Sequence, residues 1–344
     1  MNPSPRQRFW VKVRAVLLLS LLSWSRTRSL AQTESAADNF WPQWRGPLAT
    51  GVAPHANPPV TWDETNNVKW KTPIPGEGNS TPIIWNNRVF ILSAIATGRK
   101  PTAPVAADAP NELYRWVVLC LDRQQGKVVW QRTAREEAPH EGHPQDNTFA
   151  SASPLTDGKL LLAYFGSRGL HCYDFEGKLI WEKDFGKMKT KMHFGEGGSP
   201  ALSGNTVVVN WDTEGGGFIT ALNKQTGQEL WRTPRDEDTS WATPLILEFS
   251  GRKQVIVIAS KKVRSYELAT GKEIWSVSSP VQNAIPCAVA ADGLVLLTTG
   301  NPHSAVQAIR LGTIGDLTGS DAVIWRHDKG TPPVPSPLWV DNFL

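Results

Sequence analysis

Residues 243–277 hold four short runs in succession: TPLILEF (243–249), QVIVIAS (254–260), KVRSYEL (262–268) and KEIWSV (272–277). Within each run apolar residues alternate with polar ones or continue unbroken, and Gly- or charge-rich turns separate the runs. A period of two over five to seven positions predicts four β-strands joined by tight turns. The 3.6-residue spacing of stacked helical repeats is absent, and a parallel β-helix would need shorter coils.

The last turn of this unit recurs along the chain. Aligned on Gly and Trp it reads LDRQQGKVVW (121–130), YDFEGKLIW (173–181), LNKQTGQELW (222–231) and YELATGKEIW (266–275). A fifth copy, AIRLGTIGDLTGSDAVIW (308–325), has an insertion before its Gly, and NVKWKTP around Trp70 reads as the tail of a sixth. The closing Trp residues at 70, 130, 181, 231, 275 and 325 are 60, 51, 50, 44 and 50 residues apart. A second marker keeps the same phase: STP (80–82), SP (153–154), SP (199–200), TP (243–244), IP (285–286) and SP (336–337), each before an apolar run. Two markers in one phase, at a period of four strands, predict an all-β chain, a β-propeller of four-stranded antiparallel blades. About six blades are visible, and the last unit stops after one strand, SPLWVDNFL (336–344), so the reading is of a ring of seven or eight blades cut short.

Each repeated turn opens on a polar residue and gives Gly the positive-φ place, as a hairpin requires. Two positions before that polar residue stand Cys120, Cys172, Ala221, Ser265 and Ala308, all small. Their size is expected where neighbouring sheets approach closely, and the Trp is expected to fill the wider outer gap between blades. Cys120 and Cys172 then occupy equivalent places on sheets about 10 Å apart. That is beyond disulfide reach, so they read as buried, inert thiols.

Charge changes the picture only at the N-terminus. The formal net charge is +4, but residues 1–31 hold six basic residues and no acid, and without them 30 basic residues face 32 acidic ones. The body is near neutral and carries no basic block, which gives no footing for nucleic acid. The basic start, the apolar AVLLLSLLSW (15–24) and Ser29-Leu30-Ala31 read as a secretory signal peptide over 1–31, then a short linker over 32–40 and the propeller over 41–344. The apolar run is too short to span a bilayer. The expected product is periplasmic or secreted, with no stable membrane insertion after cleavage. No Cys precedes Cys120, so a lipid anchor after the apolar run is not available. The insertion at 95–114, rich in Pro and Ala, reads as a flexible loop with a steric role or none.

Propeller topology puts the repeated Gly turns on the bottom face and the blade crossings and second-to-third turns on the top face. The long irregular segments collect on the top, where a rigid scaffold usually carries its binding groups. They supply the candidate ligand-binding residues His140, His143, Asp146, Asn147, His193, Glu196, Trp211, Asp212, Arg235, Asp236, Trp241, Asn283 and His303. His140-Glu-Gly-His143 is not a HExxH helix motif and reads as solvated loop rather than metal site. FGEGG (194–198) lacks the strand–helix context of a phosphate cradle. Trp211 and Trp241 could stack a planar ligand, with packing between blades as the simpler reading. No catalytic residue and no metal site is assigned.

The beat Leu/Tyr-Asp-x-x-Thr-Gly-Lys-x-x-Trp, with Ser-Pro opening each blade, resembles the repeat of the pyrroloquinoline-quinone (PQQ)-like propellers over roughly residues 41–344. Closer still are exported bacterial PQQ-like repeat proteins, whose hallmarks stand here as WPQWRGP (41–47), YFGSRGLHCYD (164–174), FGEGGSPAL (194–202), NAIPCAVAADG (283–293) and GTPPVPSPL (330–338). The resemblance implies three functions. The first is a non-enzymatic binding or scaffold module for a protein, peptide or glycan, needing no cofactor. The second is a quinoprotein-type oxidoreductase with PQQ and calcium in the central funnel. The third is a BamB-like envelope assembly scaffold, a group that is lipid-anchored where this chain is not. Quinoprotein dehydrogenases resemble one another in a vicinal Cys pair, which this sequence lacks, and their calcium ligands and Asp base map onto no motif here. The reading therefore leans away from an enzyme.

Overall fold

The fold is built from five copies of one sheet. The computed structural model describes residues 36–280, 282–299, 304–341 and 343–344, so the expected signal peptide lies outside the described residues. Five four-stranded antiparallel units follow one another as blades over residues 83–137, 155–183, 201–235, 245–278 and 289–327, and in each the strands pair in chain order. In the fourth blade the strands are Leu245–Phe249, Arg252–Val257, Lys262–Glu267 and Glu273–Ser278, each within three residues of the expected run. Helix is confined to three short 3₁₀ turns among the described residues, and the apolar core lies between successive sheets.

The repeated turn does more than reverse the chain. In every blade the small residue pairs directly across the last two strands with the closing Trp: Cys120 with Trp130, Cys172 with Trp181, Ala221 with Trp231, Ser265 with Trp275 and Ala308 with Trp325. The small side chain thus makes room for an indole of its own sheet, and this sharpens the expectation that it answers only to the neighbouring sheet. The register shifts immediately after each pair, so the apolar residue before the Trp (Val129, Ile180, Leu230, Ile274, Ile324) is left as a β-bulge.

The indole then reaches the next blade. Trp70, Trp130, Trp181 and Trp231 donate Nε1–H to Arg123, Phe175, Lys224 and Leu268 carbonyls at 2.8–2.9 Å. Their rings cover the turn glycines Gly126, Gly177, Gly227 and Gly271 of that blade, where a Cβ would lie 2.4–2.9 Å from a ring carbon. The glycine is therefore required twice, for its positive φ and for this close approach. Trp275 departs from the series. The insertion of the fifth unit supplies a short strand, Gly315–Asp316, that pairs in parallel with Trp275 and Ser276, and Trp275 turns to Gln254 Oε1 at 3.3 Å.

The second marker is a hydrogen-bonded arc around the central channel. Thr81 N–H donates to Ser153 Oγ (2.9 Å), Ser153 N–H to Ser199 Oγ (2.9 Å) and Ser199 N–H to Thr243 Oγ1 (3.0 Å), each linking one blade to the next. In the fifth blade the donor is Cys287 N–H, to Ser336 Oγ at 2.9 Å. Cys287, two residues before its strand as Ser199 is before Ala201–Ser203, holds the marker position. The expected marker at Ile285-Pro286 therefore lies two residues ahead of the position that carries the bond. Cys287 is buried like Cys120 and Cys172, and all three are free thiols. Burial pushes Cys120 and Cys172 up to about 12.

Candidate functional site

The openings of successive blades converge on one cavity of about 570 Å³. Its wall takes Asn79 from the first opening, Asp146, Asn147 and Ser151 from the second, and Phe194, Gly197 and Ser199 from the third. Trp241 and Thr243 follow from the fourth, Asn283, Ile285 and Cys287 from the fifth, and Val334 to Ser336 from the last. Convergence follows from the sheet order: the first strand of each blade is innermost, so whatever precedes it lines the channel.

WPQWRGP packs against the inner strands around this channel. Trp41 exchanges backbone bonds with Ile84 of the first inner strand (3.1 and 2.8 Å), and Thr156 N–H donates to the Pro42 carbonyl at 2.8 Å. Trp44 lines the cavity and donates Nε1–H to Cys287 Sγ at 3.2 Å. Buried Arg45 donates to the carbonyls of Thr50 (2.5 Å) and Pro337. The segment therefore ties the first, second, fifth and last openings together, a role its motif alone did not disclose.

A second, smaller cavity of about 50 Å³ shares Ser151, Gly197 and Trp241 with the funnel and reaches between the second and third blades. Here YFGSRG and FGEGG meet. Glu196 lies on Gly166, whose φ is +56° and where a Cβ would sit 1.4 Å from the carboxylate, and Ser167 N–H donates to Glu196 Oε2 at 2.7 Å. Burial pushes the Glu196 carboxyl up to about 7, against the pull of Ser167 and Arg168. Arg168 is buried over the Trp116 ring (4.6 Å), with its Nε 2.7 Å from Glu137 Oε1. His140 Nε2 lies 2.5 Å from the Met188 carbonyl and Nδ1 lies 3.1 Å from the Arg168 guanidinium. Burial pulls this imidazole below its usual range, so at neutral pH it is uncharged, with Nε2–H donating to Met188 and Nδ1 accepting from Arg168.

The structure separates the expected site residues. Asp146, Asn147, Trp241 and Asn283 line the funnel, while His140, His143, Glu196 and again Trp241 line the side cavity. His193 sits at the rim, Nδ1 2.8 Å from Asp108 and 3.7 Å from Glu141. Asp108 belongs to the 95–114 insertion, which is tied at its neck by Thr97 N–H to Leu113 O (3.0 Å) and Leu113 N–H to Arg99 O (2.8 Å). The insertion, expected to act sterically or not at all, touches His193 through Asp108. Trp211, Asp212 and Arg235 are buried in the third blade. Arg235 grips Asp212 at 2.7 and 3.1 Å and reaches Tyr266 of the fourth blade at 2.5 Å, while Trp211 stacks on Phe218. Asp236 is exposed beside Arg264 at 2.5 Å. His303 lies outside the described residues.

Several wall residues were not among the expected site residues. Ser151, Tyr164, Phe194, Asn210 and Thr243 come from five separated segments, and only the closure of the sheets brings them together. Their one legible trait was position, immediately before an inner strand or at the end of a second strand.

The quinone and calcium of the second implied function would have to use this funnel. Its wall offers one carboxylate, Asp146, and one thiol, Cys287. Among the described residues no three His, Cys, Asp or Glu side chains converge where they could hold a metal ion. With the amides of Asn79, Asn147 and Asn283 beside a single carboxylate, the wall lacks the paired Glu and Asp of the calcium set that the resemblance implies, and does not fit a calcium-bound quinone.

The family model described as outer membrane protein assembly factor BamB (PQQ_2) matches residues 115–334. No curated protein matches the chain. Similar solved structures include BamB from Moraxella catarrhalis, 13% identical with a TM-score of 0.45, covering 76% of this chain and 77% of that one. A quinohemoprotein alcohol dehydrogenase, ADHIIG from Pseudomonas putida HK5, is 13% identical with a TM-score of 0.45, covering 76% of this chain and 43% of its own. A europium-containing methanol dehydrogenase is 11% identical with a TM-score of 0.44, covering 75% and 79%.

Proposed function

This chain belongs to the family described as outer membrane protein assembly factor BamB, and we propose that within it the chain is an exported, non-enzymatic module that binds an extended segment of a protein ligand at the mouth of its funnel. The observation that carries this reading is the character of the wall. Trp44, Phe194 and Trp241 supply aromatic surface, and Asn79, Asn147, Asn283, Ser151 and Thr243 supply amides and hydroxyls. Asp146 is the one charged side chain lining the cavity. Apolar surface with scattered neutral hydrogen-bonding groups suits a polypeptide backbone or a glycan better than an ion. The family's description as a protein-assembly factor favours the polypeptide.

Export is part of the proposal, supported by the signal-peptide pattern of residues 1–31. No helix among the described residues is long and apolar enough to cross a membrane. A cofactor-free module is proposed because the funnel's donor set does not suit the quinone.

The test is titration of the full-length chain with a panel of peptides and neutral oligosaccharides, read by indole fluorescence, in wild type and Trp241→Ala. Saturable peptide binding that Trp241→Ala weakens at least about tenfold supports the reading. Preference for the oligosaccharides replaces the protein ligand with a glycan. Saturable uptake of PQQ with calcium, accompanied by dye reduction with alcohols or sugars, would sink the non-enzymatic assignment.

A further inference from the structure

The side cavity has hydrogen-bonding capacity that the fold leaves over. Tyr164, 2% exposed, has no partner for its hydroxyl, and Asn210 has none for Oδ1. The orientation of the amide is set from behind, since Asn210 Nδ2 donates to Asp212 Oδ2 (2.9 Å) and Ser240 Oγ (3.2 Å), leaving the carbonyl oxygen free. Glu196 faces the same space and accepts from Ser167 N–H. Other polar groups of the wall are engaged, His140 with Met188 and Arg168, Thr190 with Glu141, and Trp241 Nε1 with the Gly195 carbonyl, while Arg168 Nε, without a hydrogen bond, lies 2.7 Å from Glu137 Oε1.

What remains is mostly acceptor, and the charge agrees. Glu196 and Glu141 both line the cavity, whereas Arg168 is matched by Glu137 outside it. A carboxylate or phosphate would be repelled. A guanidinium brings five donors in one fixed plane, more than these three groups present to it. A hydroxyl brings one donor to three groups. A primary ammonium brings three donors, one for each of the three groups. We propose that the cavity is a specificity subsite that takes the ammonium group of a lysine side chain projecting from a polypeptide held in the funnel, with Asn210 Oδ1, Tyr164 Oη and Glu196 as its acceptors. The lysine stem would lie along Trp241 and Gly197, the walls that the two cavities share.

This inference rests on the polypeptide reading of the funnel and adds the residue that the ligand presents. Glu196, with its carboxyl near 7 and facing Tyr164, Arg168 and Glu141, would ionise more fully when an ammonium arrives, so binding at pH 7 should release protons.

The experiment uses the full-length chain and Nα-acetyl-lysine methylamide, with Nα-acetyl-norleucine methylamide as the neutral counterpart and glucosamine as a different source of ammonium. Calorimetry at pH 7 in phosphate and in MOPS counts protons. The expected result is that the lysine compound binds at least about tenfold tighter than the norleucine compound, with proton release, and that Glu196→Gln removes both the preference and the release. Tyr164→Phe should weaken the lysine compound while leaving the norleucine compound unchanged. Equal affinity of the two compounds, or a preference that survives Glu196→Gln, overturns the subsite. Glucosamine binding as tightly as the lysine compound overturns its assignment to a side chain. The peptide titration of Trp241→Ala does not involve Glu196, so the funnel reading stands or falls separately.

Discussion

Replacing Gly227 by Ala tests the join between blades. Gly227 has φ +70° and lies beneath Trp181, and a Cβ there would meet ring carbons at 2.6 and 2.7 Å. Two costs should add. Holding an L-residue in the left-handed region costs about 1–2 kcal/mol. Forcing a methyl against a packed ring costs about 1–3 kcal/mol more. Gly204 separates them, because its φ is +59° and a Cβ there meets nothing within 4 Å. Gly204→Ala should therefore lose only the backbone part, roughly 1–2 kcal/mol. In a Trp181→Ala background the obstacle is gone, so Gly227→Ala should cost no more than Gly204→Ala. The resulting coupling between positions 181 and 227 is about 1–3 kcal/mol. Urea unfolding followed by far-UV circular dichroism on the four variants measures it. If Gly227→Ala costs the same with and without Trp181, the indole does not rest on that glycine and the account of the repeat is wrong.

Three further outcomes follow from the same contacts. Ser199→Ala leaves the buried Ser153 N–H without its acceptor and should lower unfolding free energy by about 1–3 kcal/mol, and an unchanged urea midpoint would remove the arc from the list of supports. Arg235→Met strands Asp212 as a fully buried charge and should cost about 3–5 kcal/mol, most of it recovered when Asp212→Leu is added; equal losses in both variants would contradict this. Burial lifts the Glu196 carboxyl from 4.5 to about 7, so across that interval the folded chain keeps a proton the unfolded chain has lost. The contribution of this group is complete below pH 4.5 and declines as pH rises through 7. The stability of wild type relative to Glu196→Gln should decline with it, and a difference flat from pH 4 to 8 would show the carboxyl titrates normally.

Much of the architecture was legible because it is local and repeated. Alternation of apolar residues gave the strands of the fourth blade to within three residues, and the Gly-to-Trp beat gave five sheets in phase. The marker at the blade openings was legible in four of the five blades. It failed at Ile285-Pro286, because the channel requires a small group two residues before the strand and a thiol meets that need as a hydroxyl does. The sequence offers no reason to equate Cys287 with Ser199.

The candidate site was only partly readable, and the reason is again physical. Polar loop residues look alike in one dimension whether they face a cavity or one another. Asp146, Asn147, Trp241 and Asn283 face the funnel, but Asp212 and Arg235, equally polar, are buried against each other with no exposed surface. By itself the sequence determined the period, the strand pattern and the residues at which one blade grips the next, since hairpin geometry and packing of near neighbours decide these. Only the closure of the sheets decided which openings share a cavity, that WPQWRGP ties them together, and that Tyr164, Asn210 and Glu196 are left with unfilled hydrogen-bonding capacity in one pocket. Those relations join residues far apart in the chain, and no local pattern records which polar group will find its partner within the fold.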